Sequence, residues 1–214
     1  MSTTDPMSLD FTYALEYRGI PHTDHDPEDF PLCWRVTATV DADPDGDGDP
    51  EMRHAADATA YLIPDAGDID LFDTMDAVSQ ELANMAEYLA FRRPDLLIQL
   101  DGYRSDLLYL SSLEVDEDLR GNKVGYAVFN AIMETVARSA DLAILRPAPI
   151  LSDATPEEGT PAHDAEVAAL RRYWAGLGFY DIGGGYMAFG GIEGAVRDLG
   201  DEGYLDAAEF ESFE

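Results

Sequence analysis

The residues with the most chemical content lie in one stretch, VDEDLRGNKVGYAVF. It places Arg120, Gly121, Asn122, Lys123, Val124 and Gly125 between an apolar, strand-like run and the start of a helix-like one. A strand-to-helix turn made of small residues aims several free backbone N–H groups, and the positive end of a helix dipole, at one point. Phosphate or pyrophosphate is what such a point attracts. Arg120 and Lys123 put two of the chain's 13 Lys and Arg residues there, and Lys123 is its sole lysine. Against 44 acidic residues that clustering is informative. The competing reading is an ordinary loop with a glycine turn, and the stretch by itself leaves the two level.

Three other constellations carry less. Asp41, Asp43, Asp45 and Gly46 open like a calcium-binding EF-hand loop, but the eighth position is Gly48, the twelfth is Met52 where Glu is needed, and no helix-like segment precedes them. His22 and His25 alternate with Asp24 and Asp26 in a segment with no cysteine or third histidine nearby, so a polar loop is expected there. Cys33 precedes a strand and has only Arg35 as a basic neighbour, which suits a small buried residue better than a nucleophile. No metal is expected.

The elements that must position the Arg120 stretch follow from hydrophobic spacing. Phe11, Tyr13, Leu15 and Tyr17 alternate with polar residues, as do Trp34, Val36, Ala38 and Val40, and both read as half-buried strands. A third strand is expected over about Ala58 to Ile63, after the Gly/Pro-rich acidic stretch from Asp41 to Pro50, which reads as a loop. From Leu71, the residues Met75, Val78, Leu82, Met85 and Leu89 recur in steps of four and three, predicting a helix that stops near Pro94. Leu107 to Val115 reads as a central strand, apolar on both faces at its start. Val124, Val128 and Ile132 mark a helix beginning just after Asn122. Leu142 to Leu145 is another strand, ended by Arg146, Pro147, Ala148 and Pro149. A helix with Val167, Leu170, Trp174 and Leu177 on one face leads to short strands near Phe179 to Ile182 and Tyr186 to Phe189. Strands and helices in this order predict a mixed α/β sheet with helices on both faces, against a pure sandwich, bundle or barrel. Residues 1–10 are expected to be disordered, 11–190 to form a single domain, and 191–214, acidic and Gly-rich, to form a loosely attached tail.

The chain has 214 residues, enough for one core without staples, and its 46% hydrophobic content is that of a globular protein. One cysteine excludes an internal disulfide framework and a multi-cysteine zinc site. No apolar run is long enough to span a bilayer, and MSTTDPMSLD has neither a basic n-region nor an apolar h-region, so a soluble, cytoplasmic protein is expected. The formal net charge of −31 repels nucleic acid and anionic membranes, and neither is expected as a partner. Abundant Asp with almost no Lys resembles the cytosolic proteins of salt-accumulating halophiles, where screening relieves self-repulsion. Codon bias in a GC-rich genome is the alternative.

VDEDLRGNKVGYA resembles motif A of the GCN5-related N-acetyltransferase (GNAT) superfamily, R/Q-x-x-G-x-G/A after a strand with an apolar end. LRRYWAGLGFYDI is similar to motif B of that superfamily, an amphipathic helix running into Leu177, Gly178 and Phe179. Motif A falls at about 113–127 and motif B at about 163–182, in the right order and at a plausible separation. The resemblance covers about Leu107 to Phe189.

The resemblance implies a GNAT-like fold with a mixed, mostly antiparallel central sheet, helices on both faces, and splayed fourth and fifth strands. It also implies acetyl-CoA as co-substrate. Leu113 to Val115 would line the pantetheine arm, Leu113 and Val115 among them, and Arg120, Gly121, Asn122, Lys123, Val124, Gly125 and Tyr126 would hold the pyrophosphate. Lys123 departs from the pattern, which has Gly there; it adds a cation, but at a cost if the backbone needs positive φ. The tyrosine that many members use to protonate the leaving thiolate has Trp174 at its position. Tyr173 is adjacent, turned roughly 100° around the helix. Glu114 and Asp116, at the end of the fourth strand, are the candidates to take the amine's proton, and Tyr173 is the remaining candidate acid. The activity implied is transfer of an acetyl group to a primary amine by direct attack in a ternary complex. The acceptor pocket is expected among the loop from Gly19 to Pro31, the helix from Leu71 to Phe91 and the loop after Arg146. A cationic acceptor suits the negative field, and an acidic one would need Arg146 or Arg104. A homodimer is compatible with this reading. The alternative is an inactive member of the fold that binds acyl-CoA or a protein partner, favoured by Lys123 and Trp174.

Overall fold

The computed structural model describes residues 9–16, 31–41, 52–100, 106–149 and 156–190. Strands β1 (Leu9–Glu16), β2 (Leu32–Asp41) and β3 (Met52–Ile63) form an antiparallel meander. Its alternation is as the spacing requires: Val36, Ala38 and Val40 are buried while Arg35 is exposed. Strand β1 starts at Leu9, inside the stretch expected to be disordered. Strand β3 starts six residues before Ala58, at Met52. Its polar first turn of chain still pairs with Thr39, Val40 and Asp41 of β2, so pairing overrides the weak local pattern.

The single helix expected from Leu71 to Pro94 is three: α1 (Leu71–Asp76), α2 (Gln80–Arg92) and α3 (Pro94–Ile98). Two capping residues explain the break. The Asp70 carboxylate accepts from the Asp73 N–H at the start of α1, and Ser79 Oγ accepts from the Leu82 N–H at the start of α2. The apolar stripe continues across the break through Leu71, Met75, Leu82, Met85 and Leu89, all buried, whereas Val78 falls in the turn and is exposed.

Strand β4 (Asp106–Val115) leads through a 3-10 turn (Glu117–Leu119) into α4 (Val124–Glu134), then β5 (Ala140–Leu145), α5 (Pro161–Ala175), β6 (Tyr180–Gly183) and β7 (Tyr186–Gly190). The seven strands lie in the order β1-β2-β3-β4-β5-β7-β6, every neighbouring pair antiparallel except β4 and β5. Each sheet face has its own core. Val128, Phe129 and Ile132 of α4 and Trp174 of α5 pack on one face, over Val36, Ala58, Leu108 and Leu145. The α1 to α3 segment packs on the other, over Ile63, Leu107, Tyr109 and Ile144. This is the mixed, mostly antiparallel sheet with helices on both faces that the sequence implies.

Two irregularities in β4 shape the site. Its parallel pairing with β5 covers only Asp106 to Leu110, whose last partner is Leu145. Beyond that point the strands part, and Ser112 to Val115 run on paired to β3 alone. At the same place Ser111 is an extra residue: Ala60 pairs with Leu110 and Thr59 with Ser112. The bulge resets the alternation, so that Leu108 and Leu110 before it, and Leu113 and Val115 after it, all pack toward the α4 side.

Candidate active site

The turn from β4 into α4 is held from within and left open at its tip. Asp116 donates its N–H to the Ala55 carbonyl at 2.9 Å and accepts from the Asp118 N–H at 3.1 Å, which fixes the 3-10 turn. Arg120 Nε donates to the Val115 carbonyl at 3.1 Å, tying the guanidinium to the end of β4, and the Asn122 amide donates to the Leu119 carbonyl at 3.3 Å. Gly121 takes φ +84°, with nothing within 4 Å of where a Cβ would stand. Lys123 takes φ 60° as the N-cap of α4, a left-handed conformation that costs a side-chain-bearing residue on the order of 1 kcal/mol. It makes no side-chain cap, whereas α1, α2 and α5 are capped by Asp70, Ser79 and Thr160. The start of α4 is thus without a side-chain cap beside Arg120 and Lys123, and the Tyr126 and Ala127 N–H groups return to the Lys123 carbonyl at 3.0 and 3.2 Å; uncapped helix starts with adjacent cations are of the kind that hold phosphates.

Helix α5 brings its tyrosine to this helix start. A Cβ added at Gly125 would stand 2.5 Å from the Tyr173 hydroxyl and 3.3 Å from Leu113 Cδ2, so glycine is needed there because the phenol lies over it. The Tyr173 ring lies against Tyr126, tilted by 46° with centroids 4.4 Å apart, and the Tyr126 hydroxyl donates to the Tyr173 carbonyl. Burial, with a smaller contribution from Tyr126, pushes the Tyr173 phenol up to about 12, while the Tyr126 backbone N–H opposes the shift. The phenol thus keeps its proton at neutral pH and remains a donor. Trp174 is buried edge-on to Phe129 at 6.1 Å and Phe179 at 5.3 Å. The apolar stripe reads Trp174 as core and the structure agrees. The 100° turn that removes Tyr173 from that stripe is what lays its hydroxyl on the first turn of α4.

The residues named on β4 separate. Leu113 and Val115 are half-buried on the α4 side. Glu114 is exposed on the opposite face, where its partner in register is Asp57, itself bonded to Thr37 Oγ1 at 2.8 Å and His54 Nε2 at 2.9 Å. The Asp116 carboxylate is engaged in the turn. Asp43, Asp45, Gly46, His22, His25, Arg104 and the segments 19–30 and 191–214 lie outside the described residues. No cluster of three or more potential metal ligands occurs among the described residues. No helix among them is long and apolar enough to cross a membrane.

Sequence reasoning missed a second polar group, on the α2 side of β4. Glu81 accepts from the buried Tyr109 hydroxyl at 2.9 Å and from Ser111 Oγ at 3.0 Å. Burial and then the Glu81 charge hold the Tyr109 phenol well above its ordinary range, with Arg146 acting against them. Tyr186 is raised by burial and by Glu81, again against Arg146. Glu81 is one carboxylate among 44, and its partners lie on another element, 28 and 30 residues along the chain, so nothing in the sequence marks it.

No protein-family model matches the chain. No curated protein matches it. Among solved structures, a tyrosine-to-phenylalanine mutant of KacT is 10% identical, with a TM-score of 0.41 over 90% of this chain and 99% of that one. A KacTA–DNA complex is 11% identical, with a TM-score of 0.38 over 90% and 99%. A tyrosine-to-phenylalanine mutant of the AtaT toxin, bound to the C-terminus of the antitoxin AtaR and acetyl-CoA, is 11% identical, with a TM-score of 0.35 over 88% and 98%. With every TM-score below 0.5, the reading of the site rests on this chain's own geometry.

Proposed function

We propose that the protein is an N-acyltransferase that moves an acetyl group from acetyl-CoA to a primary amine. One observation carries this reading: β5 stops pairing at Leu110, which frees the β4 edge from Ser111 to Val115 right beside the uncapped, cationic start of α4. A free strand edge can pair with the amides of a pantetheine arm, and an open helix start can hold a diphosphate. In that arrangement Leu113 and Val115 line the arm, and Arg120, Gly121, Asn122, Lys123, Val124, Gly125 and Tyr126 surround the diphosphate. Bound acetyl-CoA supplies an electrophilic thioester carbonyl.

The chain's residues then have to orient an amine and move two protons. The amine nitrogen attacks the carbonyl carbon, the C–N bond forms, the C–S bond breaks and the nitrogen gives up a proton. Exposed Glu114 is the better placed of the two β4 carboxylates to take it, since Asp116 is occupied in the turn. The neutral Tyr173 phenol, over Gly125 and against Leu113, gives its proton to the departing sulfur and regains one through solvent.

Acetyl-CoA should raise the melting temperature, and amines should then drive free-thiol release. Tyr173→Phe should lower kcat about 100-fold with coenzyme affinity and melting temperature nearly unchanged. A thermal shift without thiol release from any amine would favour a protein that binds acyl-CoA without turnover, and no shift would remove both readings.

A further inference from the structure

Glu81, bonded to Ser111, and Arg146 stand at the place where β4 and β5 part. Leu110 and Leu145 are the last paired residues of the two strands, and Ser111 and Arg146 are the first beyond them. Ser111 is the bulge residue, and it donates to both oxygens of Glu81, at 3.0 Å each. The buried Tyr109 donates to the same carboxylate, so its position is set by a rigid side chain as well as a short one. A carboxylate offers about four lone-pair sites, and two neutral hydroxyls leave capacity for a further donor. Among the described residues no Arg, Lys or His comes within 4.0 Å of Glu81.

Arg146 lies on the same face, two residues past Ile144 of the α2-side core, and its Nε would stand 3.6 Å from a Cβ at Gly185 in the β6–β7 turn. Among the described residues it forms no ion pair either. Tyr109 and Tyr186 both feel the two charges, in opposite senses. A carboxylate and a guanidinium thus flank one tyrosine-lined floor without closing on each other. A simple polyamine has no use for the guanidinium, which would repel it. A molecule carrying both an ammonium and a carboxylate satisfies both groups.

We propose that the acceptor is a zwitterion, an amino acid in the broad sense. Its ammonium is received by Glu81 and gives up one proton to solvent before the freed lone pair attacks, and its carboxylate is received by Arg146 across the gap between β4 and β5. This rests on the acyltransferase reading above, and the test separates the two. Acetyl-CoA binding is measured first by calorimetry; its absence sinks the acyltransferase reading and this one with it. Thiol release is then compared for α-, β- and γ-amino acids, their amides, and amines of matching length without a carboxylate. At least one amino acid should exceed its amide and matching amine by ~10-fold or more in kcat/KM, the discrimination expected of a charge-assisted pair. Arg146→Gln should remove that preference by raising KM for the amino acid, and Glu81→Gln should raise KM for amino acids and amines alike. Amides or amines used as well as amino acids would overturn the assignment, as would a preference untouched by Arg146→Gln. So would an acetyl-CoA-loaded protein that neither acetylates nor is thermally stabilised by any member of the amino acid panel.

Discussion

Two helices begin beside the second half of β4, one on each face of the sheet, and their first turns are finished in opposite ways. Helix α2 closes its own: Ser79 caps it, and Glu81 in that first turn spends its carboxylate on Tyr109 and Ser111. Helix α4 leaves its first turn open behind Lys123, in a conformation lysine resists, with Arg120 tethered alongside. Both starts face the same problem of N–H groups without helical partners. Where the helix only presents a side chain, the problem is solved internally. At α4 no side chain solves it, which is what the proposed diphosphate site requires.

The strongest way to break the contrast is to reverse a charge at each start. Arg120→Glu replaces an attraction to a diphosphate by a repulsion, and acetyl-CoA affinity should fall ~100-fold. Glu81→Lys, on the other face, should leave that affinity within ~3-fold. Titration calorimetry reads both, and equal losses would mean that the open start is not where the diphosphate sits.

Removing the cap tests the closed start. Ser79→Ala should cost about 1 kcal/mol in a denaturant melt without changing acetyl-CoA affinity. A change near zero would mean that tertiary packing alone holds α2, leaving no contrast between the two ends.

What the sequence revealed of these two starts differs for physical reasons. The α4 start was legible because its features are local: strand, turn cations, glycines and helix follow one another from Val115 to Phe129. Trp174 as core followed from helical period for the same reason. The break between α1 and α2 was missed because the stripe from Leu71 to Leu89 runs through it unbroken, and only the Ser79 cap marks the new start. Glu81 was missed because its partners Tyr109 and Ser111 lie 28 and 30 residues further along the chain, and only the packing of α2 against β4 brings them together. The nearness of Tyr173 to Gly125 likewise needs α5 laid against α4, which spacing within α5 cannot supply.

Each start also has a phenol shielded from water, Tyr109 buried and Tyr173 half-buried, and alkali should expose both. Tyr173 is raised from 10.0 to about 12, mainly by burial, and Tyr109 is raised further by burial and Glu81. Because the folded values lie above the unfolded one, the neutral phenols contribute their full stability below pH 10. That contribution is lost as pH climbs through the folded values, the unfolded chain ionising first. The melting temperature should therefore fall from pH 10 towards about 12. Tyr173→Phe should make the fall shallower. An equally steep fall in the variant would show that Tyr173 does not carry the raised value.

The smallest expected effect sharpens the contrast most, because it separates backbone from charge at the open start. Lys123→Gly relieves the left-handed conformation but adds freedom to the unfolded chain, so the net gain in stability should be under ~1 kcal/mol. Lys123→Ala keeps the strain and removes only the cation. Glycine should therefore be the more stable of the two, and the same ranking should hold for acetyl-CoA affinity if the diphosphate is held mainly by N–H groups of the α4 first turn. Equal stabilities would contradict the φ of 60° at this position. A matched loss of affinity in both variants would assign the grip to the lysine side chain, making the open helix start a place for a charge rather than for a backbone cradle.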